Sequence, residues 1–417
     1  MLFNRSLILS CVLFPFLGFG QESAIPEPIV CHADKHDAFF QVLAEGSEKA
    51  RRTVTSNIDV SYTGFPDVAQ IAFEKAVSIW ETLLISNQPI RINAKWENIG
   101  GGTTLAYSGA TRIYRNIDNA PYRDVWYVCP LAEAISGKDL NDGDFDINVT
   151  LNSNTNWSYS TDGTTFSGKF DLVTVALHEI AHGLGFSSSM KLINNESEGQ
   201  WGQSSFPYIF DTFVQTEEGE SLVDKSNYLN PSEDLKEEMV SNSLVFNVTN
   251  DNYRGRTPEI YSPEEYKEGA SLSHIDFRDA NSSTDTPNAY SIMSPSILAA
   301  LAIHKPSGEV LTILNEIGWP VNNLESFVIL GEEPKPKVLV FPNPVQKKLA
   351  IAVPIALRSE NTEVVLTNNS GKVLMELQKN TLVEPTFYIS FNNYPPGIHF
   401  LTVNSEKGKF TKKLVKR

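Results

Sequence analysis

The chain has 417 residues, 41% of them hydrophobic and 20% charged, with a formal net charge of −16 at pH 7. That acidic balance, with no aromatic-basic recognition motif, argues against nucleic-acid binding. The length allows two or three domains.

Met1 to Gly20 carries one basic residue, Arg5, an apolar stretch from Leu7 to Phe19 and small residues at Gly18 and Gly20, the pattern of a signal peptide cut before Gln21. Beyond it no apolar run is long enough to span a bilayer, so the mature chain is expected to lack a transmembrane segment. Removal of the leader takes Cys11 and leaves Cys31 and Cys129. In an oxidising compartment two cysteines most simply form one disulfide, here tying the segment 21–55 to the domain that follows, and free thiols are the other option.

From Ser56 the pattern predicts a strand at Ile58 to Tyr62, a helix from about Asp67 to Ser86 and a strand at Ile90 to Trp96. In the helix Ile71, Phe73, Val77, Ile79, Trp80 and Leu83 form a wide apolar face, so these are core elements of an α+β domain without chemistry of their own. The loop Asp142-Gly143-Asp144-Phe145-Asp146 offers hard oxygens to Ca²⁺. The closing glutamate of an EF-hand is absent, so a solvated loop is the competing reading.

Residues Asp171 to Ser188 read DLVTVALHEIAHGLGFSS. His178 and His182, four apart on a helix, have Cβ atoms roughly 5–6 Å apart and can reach one zinc ion. Glu179 then stands beside the metal, where a carboxylate can take a proton from bound water. Asp171 is a candidate N-cap, Leu172, Val175 and Leu177 supply an apolar side, and Gly183 and Gly185 offer left-handed conformations to end the helix. A turn there lets a later segment return with a third ligand.

Seven histidines limit the choice of that ligand. His32 and His36 lie near the mature N-terminus and His399 lies in a separate module, leaving His274 and His304. His274 sits in a polar loop, Ser271 to Asp276, with Asp276 at hand to orient its ring. His304 follows the apolar run Ile297 to Ile303, which reads as a packed helix, so His274 is preferred. Glu196 would be the third ligand of a gluzincin, but Gly199-Gln200-Trp201-Gly202 continues poorly as the second helix that arrangement needs. Between Ser189 and Ala270 lies a polar insertion containing the apolar patch Phe206 to Phe210, and the insertion as a whole is expected to pack over one side of the cleft.

The stretch HEIAHGLGF, followed by Tyr290-Ser291-Ile292-Met293-Ser294-Pro295, resembles the metzincin zinc peptidases, whose helix reads H-E-x-x-H-x-x-G-x-x-H and is followed by a methionine turn. Ser188 stands where the compact motif has its third histidine. Leishmanolysin-like metzincins carry a long insertion there, and the order Gly185, insertion, His274, Met293 is similar to theirs. The resemblance implies that His274 is the third zinc ligand and that Met293 forms the turn beneath the metal. Pro130 to Ile147, Trp157 to Gly163 and Ile313 to Pro320 are similar to flanking stretches of secreted bacterial relatives, extending the likeness over 56–321. It implies a metzincin-like catalytic domain, a twisted sheet plus a zinc-binding active-site helix. Cys31-His32-Ala33-Asp34 also resembles the propeptide cysteine with which some metzincins block their own zinc, which would make 21–55 a propeptide.

Residues 322–337 form a linker rich in proline and charge, and from 338 short alternating runs separated by turn signals predict a small all-β sandwich. Counted from Pro336 this tail is net +7, so the rest of the chain is more acidic than the whole. Phe341-Pro342-Asn343-Pro344, Asn369 to Val373, Pro396 to Phe400 and the basic end Lys412 to Arg417 resemble the C-terminal sorting domain of type IX secretion cargo. That resemblance implies outer-membrane translocation by the type IX machinery, to the medium or the cell surface; a binding module is the alternative use of such a sandwich.

The sequence therefore leads to a secreted zinc-dependent endopeptidase acting on proteins or peptides, with Zn²⁺ on His178, His182 and His274 and Glu179 as general base. The alternative is a non-catalytic secreted or surface adhesin on a metzincin-like fold. Ser188 favours the alternative and the intact Glu179 favours the enzyme.

Overall fold

A computed structural model describes residues 21–43, 54–249, 257–276, 291–322, 338–341, 343–353, 362–377, 386–405 and 408–417. The signal segment, Tyr290 and linker residues 323–337 lie outside them. In chain order the first elements are β1 (Glu22–Ala24), β2 (Ile29–Val42), β3 (Ile58–Thr63), α1 (Asp67–Leu83), β4 (Ile90–Glu97), β5 (Thr104–Ala110), β6 (Ile113–Arg115), β7 (Tyr127–Val128), α2 (Cys129–Ser136), β8 (Ile147–Asn152) and α3 (Leu172–Gly183). A return strand, Ile297–Ile303, and a helix, Gly308–Glu316, close the larger unit.

The main sheet has six strands in the order return strand, β2, β5, β8, β4, β3. β3, β4 and β8 run parallel, while β5 is antiparallel to β8. β2 then pairs antiparallel with β5 through Ile29 to His32, and parallel with the return strand through Ala33 to Val42. The N-terminal segment is thus a strand inserted between β5 and the segment that follows the methionine turn.

α1 starts after Pro66 with Asp67 in its first turn and buries Ala69, Ala72, Phe73, Ala76, Val77, Trp80 and Leu83. These positions repeat at three and four residues, the period of one helix face. The expected face was partly misplaced: Ile71 is exposed, and three alanines take the inner positions. Small residues there bring α1 close to α3, and Trp80 Nε1 donates to Leu177 O at 3.2 Å across that contact.

α3 is buried on every side, so it is a central helix and not the one-sided amphipathic helix read from Leu172, Val175 and Leu177. Asp171 caps it, accepting Thr174 N–H at 2.9 Å. It ends in a Schellman arrangement: Phe186 N–H donates to Ala181 O (3.1 Å), Gly185 N–H to His182 O (3.0 Å), and Gly185 takes φ 107°. Gly183, expected to be left-handed as well, is helical. Its lack of a side chain serves packing, since a Cβ there would lie 2.3 Å from Ile147 Cγ2 on β8. Gly183→Ala is expected to cost about 1–3 kcal/mol of stability through overpacking, read as a lower urea midpoint at unchanged slope.

The run Ile297 to Ile303 is a strand, not the helix its apolar letters suggested. A short apolar run has no period to separate the two, and here pairing with β2 decides. The insertion carries its own structure, with a hairpin (Lys191–Ile193 with Glu198–Gln200) and a helix Glu233–Met239 capped by Ser232. Tyr208 to Phe210 are buried beside Trp126 and the end of α3, with Phe210 5.2 Å from both Phe186 and Phe246. The patch is therefore part of the core on which the insertion packs. Residues 338–417 form two antiparallel sheets sharing a separate core that includes Val345, Leu349, Leu366, Phe391, Leu401 and Leu414, the expected β-sandwich.

Candidate metal centre and active site

Three histidines converge at one end of α3. His178 and His182 stand on its face by the four-residue spacing, and His274 arrives from a loop 96 positions after His178. Each ring's Nδ1 faces a main-chain carbonyl: His178 to Ile292 O at 2.5 Å, His182 to Phe186 O at 2.6 Å and His274 to Ala270 O at 2.7 Å. A carbonyl can only accept, so each Nδ1 carries the proton and each Nε2 presents a bare lone pair. The expected orienting partner of His274, Asp276, does not hold this nitrogen; Ala270 does.

The Nε2 atoms of His182 and His274 lie 3.1 and 3.4 Å from that of His178. Neutral rings protonated on Nδ1 cannot hydrogen-bond one another through Nε2. Tetrahedral zinc with Zn–N bonds of about 2.0–2.1 Å places its ligands roughly 3.3–3.4 Å apart, so these residues fit that ion. The rings are fully buried, and burial pushes the imidazoles down, His178 to about 4 and His274 to about 3. They are held in the neutral form that binds metal.

Glu179 projects into the same place. Its carboxylate is buried with neither oxygen in a hydrogen bond of ordinary geometry, and its carboxyl is pushed up to about 8 by burial, opposed by the nearby Ser108 hydroxyl and Cys31 thiol. Its own carbonyl is held by Ser108 Oγ of β5 at 2.8 Å. Met293 is fully buried in the turn Ser291–Ser294, where Ile292 O accepts from His178 and Met293 O accepts Ile275 N–H at 2.9 Å. That turn joins the helix ligands to the segment beside His274.

The other candidates lie elsewhere. His304 binds Asp171 Oδ1 at 2.9 Å and so braces the start of α3. Glu196 is exposed on the hairpin turn with φ 61°, far in character from a second zinc helix. Asp142 and Asp144 are exposed while Asp146 is buried beside Cys129 and Glu133, so the alternating aspartates face different surroundings.

The cysteines do not form the expected disulfide; both are free and buried apart. Cys129, at the start of α2, lies 3.3 Å from Asp146 Oδ1 and 3.6 Å from Glu133 Oε1. Burial pushes the Glu133 carboxyl up to about 7, opposed by the Leu140 N–H and aided by Asp146. A raised folded pKa means that stability is full below the ordinary 4.5 and is lost as pH rises through about 7. Glu133→Gln keeps the acceptor and removes that loss, so its melting temperature relative to wild type should climb between pH 5 and pH 8. Parallel curves across that range would refute it.

Cys31 lies at the candidate site, beside the histidines. Its Sγ, a ring nitrogen of His178 and an oxygen of Glu179 all lie within 4.8 Å of one another. Burial and then Glu179 push the thiol well up. The register Val30 with Tyr107 and Cys31 with Ala106 places this part of β2 beside His178, and all three histidines are buried. Further anchors hold this segment: Arg115 Nη2 to Glu22 at 2.5 Å, Lys191 to Glu27 at 3.1 Å, Gln203 Nε2 to Ile25 O at 2.8 Å, and Gly168 N–H to Asp37 at 2.8 Å. Ser108 and these anchors carry no sequence signal, whereas Cys31 had one in Cys31-His32-Ala33-Asp34.

Comparison with known proteins adds to the two ends of this picture unequally. A family model described as SPBPB7E8-like matches residues 139–250, which include α3. No curated protein matches the chain. Among solved structures, the endo-beta-1,4-mannanase from Thermotoga petrophila aligns over 28% of this chain and 26% of its own at 11% identity, with a TM-score of 0.17, a likeness that carries no argument. No helix among the described residues is long and apolar enough to cross a membrane. The family model described as the secretion system C-terminal sorting domain matches residues 339–417, so the terminal sandwich is a type IX sorting domain and the protein is a secreted or cell-surface cargo of that machinery.

Proposed function

We propose that the chain is a zinc-dependent endopeptidase of metzincin type with a leishmanolysin-like insertion, exported in a form whose N-terminal strand covers its own active site. The observation that carries this reading is the meeting of three bare Nε2 atoms with a buried carboxylate that makes no hydrogen bond of ordinary geometry. A purely structural site needs the three rings, but it has no use for Glu179.

His178, His182 and His274 would hold the ion and leave a fourth position to water. When bound there, zinc supplies Lewis acidity, polarising a peptide carbonyl and lowering the pKa of water toward about 7. Glu179 takes the water's proton on a carboxylate oxygen and delivers it to the leaving amine nitrogen. The three carbonyl contacts at Nδ1 keep the rings in one tautomer throughout. An extended substrate would use the place of β2, pairing with β5. Cys31 supports a latent state: a thiolate is a good zinc ligand, and this one stands beside His178.

The test is elemental analysis of the purified protein together with cleavage of unfolded casein after the N-terminal strand has been cut away. One zinc per chain with chelator-sensitive cleavage is expected. A zinc-loaded, uncovered protein that cuts nothing would favour the adhesin reading, and absence of zinc would remove the endopeptidase reading.

A further inference from the structure

His274 is recruited from a loop remote in sequence, and its Nδ1 contact to Ala270 lies within that same loop. That bond orients the ring but does not fix the loop against α3. The tie nearest the histidine between this loop and the chain leaving α3 is Ser188 N–H donating to Ser273 Oγ at 3.0 Å, one residue before it, with Tyr266 Oη to Met190 O at 3.3 Å farther off. The same short stretch holds the second ligand, since Phe186 O receives His182 Nδ1. Its position is set in turn by Asp211, a fully buried residue of the insertion. Asp211 Oδ1 accepts Ser188 Oγ at 2.7 Å and Ser189 N–H at 3.0 Å, while Oδ2 accepts Tyr208 N–H at 2.9 Å and the Ser189 hydroxyl. Only an acceptor with two oxygens can serve all four donors, which accounts for a carboxylate in so buried a place.

The geometry points to Asp211 as a positioning residue for the metal centre: it fixes Ser188, whose N–H holds Ser273 and thereby sets His274 against His178 and His182. The insertion is then part of the ligand scaffold, and Ser188 serves as the post to which the distant ligand is tied. This inference rests on the zinc reading above.

The test uses the full-length protein and its Ser273→Ala, Ser273→Thr and Asp211→Asn variants, measuring zinc affinity by chelator competition, the visible spectrum after cobalt substitution, and melting of the metal-depleted protein. Loss of an outer partner of a ligand typically weakens metal binding by about 10–100-fold. Ser273→Ala and Asp211→Asn are expected to fall in that range with an altered cobalt spectrum, while Ser273→Thr recovers most of the affinity and metal-depleted Ser273→Ala melts as wild type does. Wild-type zinc affinity in Ser273→Ala, or a loss that Ser273→Thr does not recover, overturns the positioning role. Should Asp211→Asn fail to fold, the serine pair still decides. Failure of wild type itself to bind zinc refutes the underlying reading and this inference with it, and is a distinct result.

Discussion

Glu179→Ala, compared with wild type after removal of the N-terminal strand, is expected to slow cleavage of unfolded casein by about 10²-fold or more, the share that a positioned general base supplies. The side chain suits that work because burial favours its protonated form, to about 8, so it can hold and then release a proton near neutrality. Bound zinc would add positive charge beside it and draw that value down. Zinc content should not fall, because Glu179 is not among the three converging nitrogen donors. Loss of rate with retained metal is therefore the signature, read by parallel kinetics and elemental analysis. Equal rates in the two proteins would assign the activity to a contaminant or to another mechanism.

Much of this centre was legible because short-range rules write it. Four-residue spacing places His178 and His182 together, an acidic N-cap begins their helix, and a glycine in the left-handed region ends it. His274 came from elimination and from a resemblance, not from geometry, and the structure brings it to the same point. The partner at its Nδ1 was missed because a main-chain carbonyl has no letter in the sequence, and Asp276 was the nearest group that did. The same blindness hid Ser108 and Asp211, whose partners are mostly backbone or lie far along the chain.

The errors in the fold have a common source in long-range pairing. Ile297 to Ile303 became a strand because β2 lies beside it, and α1 turned its alanines inward because α3 approaches closely. Hydropathy ranks alanine below isoleucine and cannot anticipate a contact that needs little volume. The disulfide failed for a similar reason. Counting cysteines says nothing of separation, and here Cys31 is drawn to the histidines while Cys129 faces Glu133 and Asp146. The tail was easier, since strict alternation and turn residues define a sandwich locally.

Cutting the chain between Leu43 and Val54 is expected to raise proteolytic activity by at least about 10²-fold, whereas Cys31→Ala in the uncut chain should give a much smaller gain. The difference follows from what holds β2 in place. Cys31 is one contact among many: main-chain pairing joins Ile29 to His32 to β5 on one edge and Ala33 to Val42 to the return strand on the other, and ion pairs at Glu22 and Glu27 add to it. Removing the thiol would free a position on a bound metal but would leave the main chain of β2 in place. Cutting acts differently. While covalently attached, the strand re-enters its slot at an effective concentration in the millimolar range; once cut, it must compete by its own affinity against dilution and substrate. Activity of the cut protein should therefore rise further on dilution, and Cys31→Ala should sharpen that dependence by weakening the released strand. Casein cleavage measured over a hundredfold range of enzyme concentration checks both points. An uncut chain as active as the cut one would show that β2 does not block the site, and activity independent of dilution after the cut would mean that the strand departs as soon as its tether is broken.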